Sequence, residues 1–173
     1  MPATCTRRPD PARYAAYFQP YLDQVTEPEV MAVLEAQRAE VAELASLDPA
    51  LATHRYEPGK WTVAEVLAHI NDTERVFGYR MLRLARGDTL ELNGFEQDDW
   101  IDQGEAGRVP LTELVAEFDA IRASTLALVR GLSDEAIERG GQADGKPLTV
   151  GSLLWLTAGH ARHHLRVLRE RYL

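Results

Sequence analysis

Apolar residues recur every three or four positions in four long stretches of this sequence, which is the spacing of amphipathic helices. The spacing predicts helices over residues 28–46, 63–86, 110–131 and from 149 to the C-terminus. No stretch shows a convincing alternation of apolar and polar residues, the pattern of a half-buried strand. The sequence therefore predicts an all-α protein folded as a four-helix bundle, because four amphipathic helices can bury their apolar faces against one another.

Residue types at the helix ends support these boundaries. Pro28 suits the first turn of the first long helix, where its missing N–H would have had no helical partner. Thr62 and Glu65 form a Thr-x-x-Glu capping box ahead of the second helix, and Thr149 can cap the fourth. Three of the four helix starts are thus predicted both by the apolar spacing and by the residue types at the start of the helix.

The N-terminal part of the chain is predicted to add a short helix to the bundle. This helix falls within residues 10–22 and is broken at Pro20. Residues 1–25 as a whole are expected to lie at the periphery. Because no low-complexity tract or long linker divides the sequence, residues 1–173 are interpreted as a single domain.

A long connection separates the second and third predicted helices. Residues 89–109 are rich in Gly, Asn and acidic residues, and Leu92, Phe95 and Trp100 are the expected anchors that pack this segment down. Long ordered loops tend to carry function or to cover a site. The Gly-rich residues 140–147, before the fourth helix, are expected to form a loop.

Charge and composition narrow the functional classes. The net charge of −8 argues against a nucleic-acid-binding protein, because phosphate binding needs a positive surface. No run approaches the roughly 20 apolar residues that span a bilayer, so no membrane partner is expected. The single cysteine, Cys5, has no partner for an internal disulfide, which is typical of a reducing compartment. A cytoplasmic location is predicted, and the role of Cys5 stays open.

Three of the five histidines lie in the sequence GHARHHLRVL of the fourth predicted helix. At about 100° per residue, His160 and His164 lie roughly 40° apart on the apolar face. Imidazoles at this spacing can bind one metal ion from a rigid helix, although an isolated pair is more often two core histidines with ordinary partners. His163 lies toward the edge of that face and is the weaker candidate. His54 falls in a turn-rich loop and is expected at the surface.

A third histidine favours the metal site over two ordinary core histidines. His69 lies in the middle of the apolar face of the second helix. Burying three imidazoles without partners costs roughly 1 to 3 kcal/mol for each group, and a shared divalent cation would satisfy all three. Three protein ligands leave coordination positions open, as in catalytic sites.

Nearby carboxylates leave the general base unassigned. Glu65 is interpreted as a helix cap, and Asp72 and Glu74 are interpreted as solvated or ion-paired groups. Each of the three lies within five residues of His69, so an acid or base role for any of them stays open.

Four segments of this sequence together resemble the DinB-like superfamily, which includes the bacillithiol-transferase proteins. They are EPGKWTVAEVLAHINDTERVFGYRMLRLARGD, LNGFEQDDW, IRASTLALVRGLSDEAIERGG and TVGSLLWLTAGHARHHLRVL. The resemblance covers roughly residues 56–169 in the expected order. Its most specific features are the Gly-Lys-Trp-Thr entry, the histidine eight residues after that tryptophan, and the late pair His160 and His164.

The resemblance implies a four-helix bundle in which three histidines bind a divalent metal, commonly zinc or nickel. By position, these ligands are His69, His160 and His164. It also implies a homodimer in many members and, for the better understood relatives, transfer of bacillithiol or mycothiol to an electrophilic substrate. Arg122 is a candidate for contact with an anionic group.

Two alternatives to thiol transfer stay open. One is a metal-dependent hydrolase that uses the same site to activate water, and the other is a non-catalytic, stress-associated metal-binding bundle.

Overall fold

The computed structural model describes residues 7–173 and consists mainly of helices. The α-helices are α1 (Gln19–Leu22), α2 (Val30–Ala42), α3 (Val63–Ala85), α4 (Gln97–Gly104), α5 (Leu111–Arg130), α6 (Asp134–Glu138) and α7 (Val150–Arg171), and the strands are β1 (Gly140–Ala143) and β2 (Lys146–Thr149). Short 3-10 turns cover Pro11–Arg13, Ala16–Phe18, Glu43–Ser46, Pro49–Thr53 and Ala106–Arg108. In this described part of the chain, no helix is both long enough and apolar enough to cross a membrane.

The predicted four-helix bundle is confirmed by α2, α3, α5 and α7. Helix α3 packs against α5 and α7, and α2 packs against the same two helices. Each long helix therefore has two neighbours, and α3 lies beside α7. This adjacency places the two histidine-bearing helices face to face.

The predicted caps at the starts of α3 and α7 are present. The Thr62 hydroxyl accepts the Glu65 N–H at 3.1 Å, and the Glu65 carboxylate accepts the Thr62 N–H at 2.7 Å. Thr149 forms the same reciprocal pair with Ser152, a partner that the Thr-x-x-Glu pattern did not predict. Capping boxes thus define where both histidine-bearing helices begin, and so fix the helical position of each histidine.

A small hairpin is the main departure from the predicted elements. Residues 140–147, expected to be loop, contribute to the antiparallel pair of β1 and β2. Asp144 and Gly145 have φ values of 52° and 67°, the left-handed conformation of a two-residue hairpin turn. Four-residue strands are too short to show alternation, so the Asp-Gly dipeptide was the only sequence signal for this hairpin.

The long connection is partly helical and is pinned to the hairpin. Leu92 forms an isolated bridge with Ala143, and both side chains are buried. The Phe95 and Trp100 rings lie 4.7 Å apart, with Trp100 exposed on the outside of α4. Leu92 therefore packs the connection against the hairpin, as the sequence predicts, whereas the Trp100 side chain is exposed to solvent. The connection lies over one side of α3.

The N-terminal segment packs against α7 close to the histidines. Leu22 and Val25 are completely buried, and α1 lies against α7. The contact is so close that a Cβ at Gly159 would lie 2.0 Å from the Tyr21 carbonyl oxygen. Glycine at position 159 thus lets Tyr21 approach the helical turn that carries His160.

Candidate metal centre

The three candidate histidines come together between α3 and α7. The Nε2 atoms of His69 and His160 are 3.0 Å apart. The His69 and His164 ring centres are 4.8 Å apart, and those of His160 and His164 are 4.5 Å apart. His69 and His160 are only 3% and 7% exposed, and His164 is half-buried.

The geometry of this cluster suits a divalent cation. One ring nitrogen from each of the three histidines can be chosen so that all lie within 4.8 Å of one another. Zinc–nitrogen bonds of about 2.0 to 2.1 Å in a tetrahedral site place neighbouring ligand nitrogens about 3.3 to 3.4 Å apart, so small side-chain rotations would complete the site. A neutral all-imidazole donor set suits zinc, nickel and other transition metals better than calcium or magnesium.

Burial keeps these imidazoles neutral and so ready to bind a cation. Desolvation lowers the pKa of His69 to about 4 and that of His164 to about 3, with neighbouring histidines adding to the effect. Desolvation also lowers the pKa of His160 well below its usual value. Metal binding at neutral pH would therefore displace few protons, because the ligand nitrogens are already unprotonated.

The same shifts predict that the metal-free protein loses stability in mild acid. The pKa of His69 is about 4 in the folded chain and about 6.5 in the unfolded chain, so below pH 6.5 the unfolded chain binds more protons. We expect the urea midpoint of chelator-treated protein to be lower at pH 5 than at pH 7.5. The exposed-histidine variant His54→Gln should show the same fall, and equal midpoints at the two pH values would contradict the prediction.

Aromatic side chains surround the cluster. The Trp61 ring lies 4.8 Å from the His69 ring and is stacked 6.4 Å from the His164 ring. Tyr21 and Phe77 lie 5.6 and 6.0 Å from the His160 ring. These contacts hold the imidazoles in place and limit the access of water to the inner side of the cluster.

The two remaining histidines are not among the converging ligand groups. His163 is half-buried and its ring contacts Tyr21 and His164, but it is not one of the converging ligand groups. His54 is exposed, as the sequence predicts, with its ring 6.2 Å from that of Tyr172. Cys5 lies outside the described residues.

The nearby carboxylates have other partners. Glu65 caps α3 and also accepts hydrogen bonds from Arg55. Asp72 pairs with Arg75 at 3.5 Å. Glu74 is buried and accepts two hydrogen bonds from the Arg122 guanidinium, at 2.7 and 2.9 Å. The anionic group that Arg122 contacts is thus a side chain of the same protein, and its buried position does not suit a role in binding a thiol.

A cavity of about 390 Å³ opens beside the cluster, a size that suits a small-molecule ligand. The buried rings of His69 and His160 contribute to its lining. The N-terminal segment, the long connection and the hairpin supply most of its other walls, including Tyr17, Tyr21, Phe95 and Lys146. The sequence pattern did not predict these lining residues, because they come from segments that are distant in the chain.

Comparison with known families identifies the fold and gives the site a context. The model of the DinB superfamily matches residues 33–168, a range that contains all three converging histidines. The chain belongs to the DinB superfamily. The family resemblance seen in the sequence is therefore confirmed.

Individual DinB relatives are distant in sequence. A protein of Geobacillus kaustophilus, described as a candidate metal-dependent hydrolase, is 26% identical over 113 residues, which are 63% of this chain. The match spans 62% of the length of that relative. YfiT from Bacillus subtilis, described as a probable metal-dependent hydrolase with an unusual four-helix bundle topology, superimposes with a TM-score of 0.72 at 20% identity. The YfiT match covers 84% of this chain and 87% of YfiT, and it supports the fold.

Proposed function

We propose that this DinB protein is a metal-dependent hydrolase of small molecules, with a divalent cation held by His69, His160 and His164. The observation that carries the proposal is the convergence of three neutral imidazoles, two of which, His69 and His160, line a ligand-sized cavity. A cation held in this way supplies Lewis acidity, which activates a bound nucleophile and polarises the bond to be broken.

The side chains of this protein supply binding and orientation. The three imidazoles would hold the cation from two rigid helices, α3 and α7. Trp61 and Phe77 pack against the imidazoles, while Tyr21 covers His160 from the N-terminal segment. A substrate in the cavity would meet the cation at one end and aromatic walls along its length.

Hydrolysis is placed first because the Geobacillus relative and YfiT are both described as hydrolases. Transfer of a thiol such as bacillithiol or mycothiol to an electrophile is the second candidate, because the sequence resembles thiol transferases and the same site would serve both reactions. The cytoplasmic location, a homodimer and the choice between zinc and nickel stay predictions.

A turnover assay separates these functions. Purified, metal-loaded protein is incubated with a panel of small esters and amides, and separately with an electrophile plus each thiol. We expect product from the esters or amides without thiol, and loss of that product in the His160→Ala variant but not in His163→Ala. Product only when a thiol is present would replace hydrolysis with thiol transfer. Metal binding without turnover in either panel would favour the non-catalytic alternative.

A further inference from the structure

Arg80 is a buried cation that lines the cavity without a carboxylate partner. It is 6% exposed, and its guanidinium donates one hydrogen bond, to the Asn93 carbonyl oxygen at 2.7 Å. Among residues 7–173 it forms no ion pair. The Asp144 carboxylate influences it electrostatically but is itself paired with Lys146. Burial of an arginine with so little compensation is costly, and an anion in the cavity would offset that cost.

Arg122 shows what a fully compensated arginine looks like in the same protein. Its guanidinium contacts both Glu74 oxygens, the Gln37 side chain and the Leu34 carbonyl oxygen. Arg122 therefore has its hydrogen-bonding capacity largely used within the bundle. Arg80, with one hydrogen bond to a neutral carbonyl, keeps donors for a ligand.

Thr73 supplies another polar group to the lining of the same cavity. It is 3% exposed, and its hydroxyl makes no hydrogen bond to any part of the described chain. On α3, His69, Thr73, Phe77 and Arg80 follow one another at spacings of four, four and three, so they share one face. All four line the cavity.

The polar lining of the cavity therefore differs between the region near His69 and the region near Arg80. His69 and Arg80 are eleven residues apart, which is about 16 Å of helix rise. Phe77 lies between His69 and Arg80 on α3, and Tyr17 and Phe18 of the N-terminal segment add further aromatic lining. Glu96, Asp98 and Asp144 also line the cavity, but all three are exposed, so solvent screens their charge more effectively than that of buried Arg80.

We propose that Arg80 forms a carboxylate-binding subsite, so that the substrate is an elongated molecule with an apolar middle and an anionic end remote from the histidines. The guanidinium would pair with the carboxylate, and the Thr73 hydroxyl would donate to a polar atom nearer the reacting bond. This inference rests on the proposed function for the identity of the reacting end. The anion subsite itself requires no bound metal.

A binding experiment with matched probes tests the subsite. 6-Phenylhexanoate and its neutral amide, 6-phenylhexanamide, are titrated by calorimetry into the protein as purified and into chelator-treated protein. We expect the acid to bind about 10-fold or more tightly than the amide in both preparations. In Arg80→Gln this preference should disappear, while in Arg86→Gln, which removes an exposed charge at the end of α3, it should persist.

Each other result contradicts the proposal. An acid preference that survives in Arg80→Gln would exclude Arg80 as the anion site. A preference that disappears on chelation would place the carboxylate at the metal instead. Neither probe carries a polar atom at the end assigned to the histidines, so Thr73→Val, which removes only the hydroxyl and preserves the shape of the side chain, should leave the acid preference unchanged. Loss of the preference in this variant would contradict the assignment of the carboxylate to Arg80. Failure of the turnover assay leaves these binding results interpretable, because they require neither metal nor catalysis.

Discussion

Replacement of His160 with alanine should remove nearly all tightly bound divalent metal from this protein. The wild-type chain is expected to bind about one ion, because three imidazoles make one site. Loss of a partner outside the coordination shell already lowers metal affinity roughly 10- to 100-fold, so loss of a ligand should cost more than about 100-fold. Elemental analysis of purified protein, followed by zinc and nickel titration of the chelated protein, measures the change.

His163→Ala is the matched control for that experiment. His163 lies on the same helix three residues from His160, contacts Tyr21 and His164, and is not one of the converging ligand groups. It should therefore retain about one ion per chain. Circular dichroism of both variants checks that the helices persist. Equal metal content in wild type and His160→Ala, with both folded, would refute the three-histidine site.

The sequence was informative about the histidines because helical periodicity fixes direction as well as secondary structure. His160 and His164 fall on the apolar face of one helix, and His69 lies within the apolar face of another. A bundle buries such faces together, so proximity of the three rings followed from the pattern once α3 and α7 proved to be neighbours. Pairing of those two helices was not evident from periodicity, because each apolar face could have packed against either of two neighbours.

The cavity could not be predicted in the same way. Its walls combine the N-terminal segment, the long connection and the β1–β2 hairpin with α3 and α7. The packing of these segments depends on details such as the absence of a side chain at Gly159 and the bridge from Leu92 to Ala143. Arg80 carried a partial signal, since it shares a helix face with His69, but an arginine at that spacing could equally have been paired.

Arg122 is the residue whose role could not be predicted from the sequence. The sequence makes this arginine a candidate for contact with an anionic ligand, whereas the structure buries it completely between helices. Its partner Glu74 lies on α3, 48 positions away. Periodicity places both residues near the core side of their helices, but it does not pair charges across helices, so this contact emerges only from the packed structure.

Loss of the Arg122 side chain should destabilise the bundle more than loss of any of its exposed ion pairs. Arg122 links α5 to Glu74 on α3 and to Gln37 on α2, and Gln37 donates to the Ala158 carbonyl oxygen on α7 at 2.8 Å. One network thus connects all four long helices. Arg122→Met leaves the Glu74 carboxylate buried without a counter-charge, which typically costs about 3 to 5 kcal/mol of unfolding free energy.

The double variant Glu74→Met with Arg122→Met separates a missing partner from a missing interaction. Replacing both charges with apolar side chains removes the uncompensated carboxylate, so most of the lost unfolding free energy should return. Arg38→Met, which breaks the largely exposed pair with Asp119, is the control and should cost at most about 1 kcal/mol. Urea unfolding of the wild type and these three variants measures the differences. If Arg122→Met lowers the unfolding free energy no more than Arg38→Met does, the prediction is wrong. The Arg122–Glu74 charges would then be compensated by solvent rather than by each other, and the buried network would contribute little to the stability of the bundle.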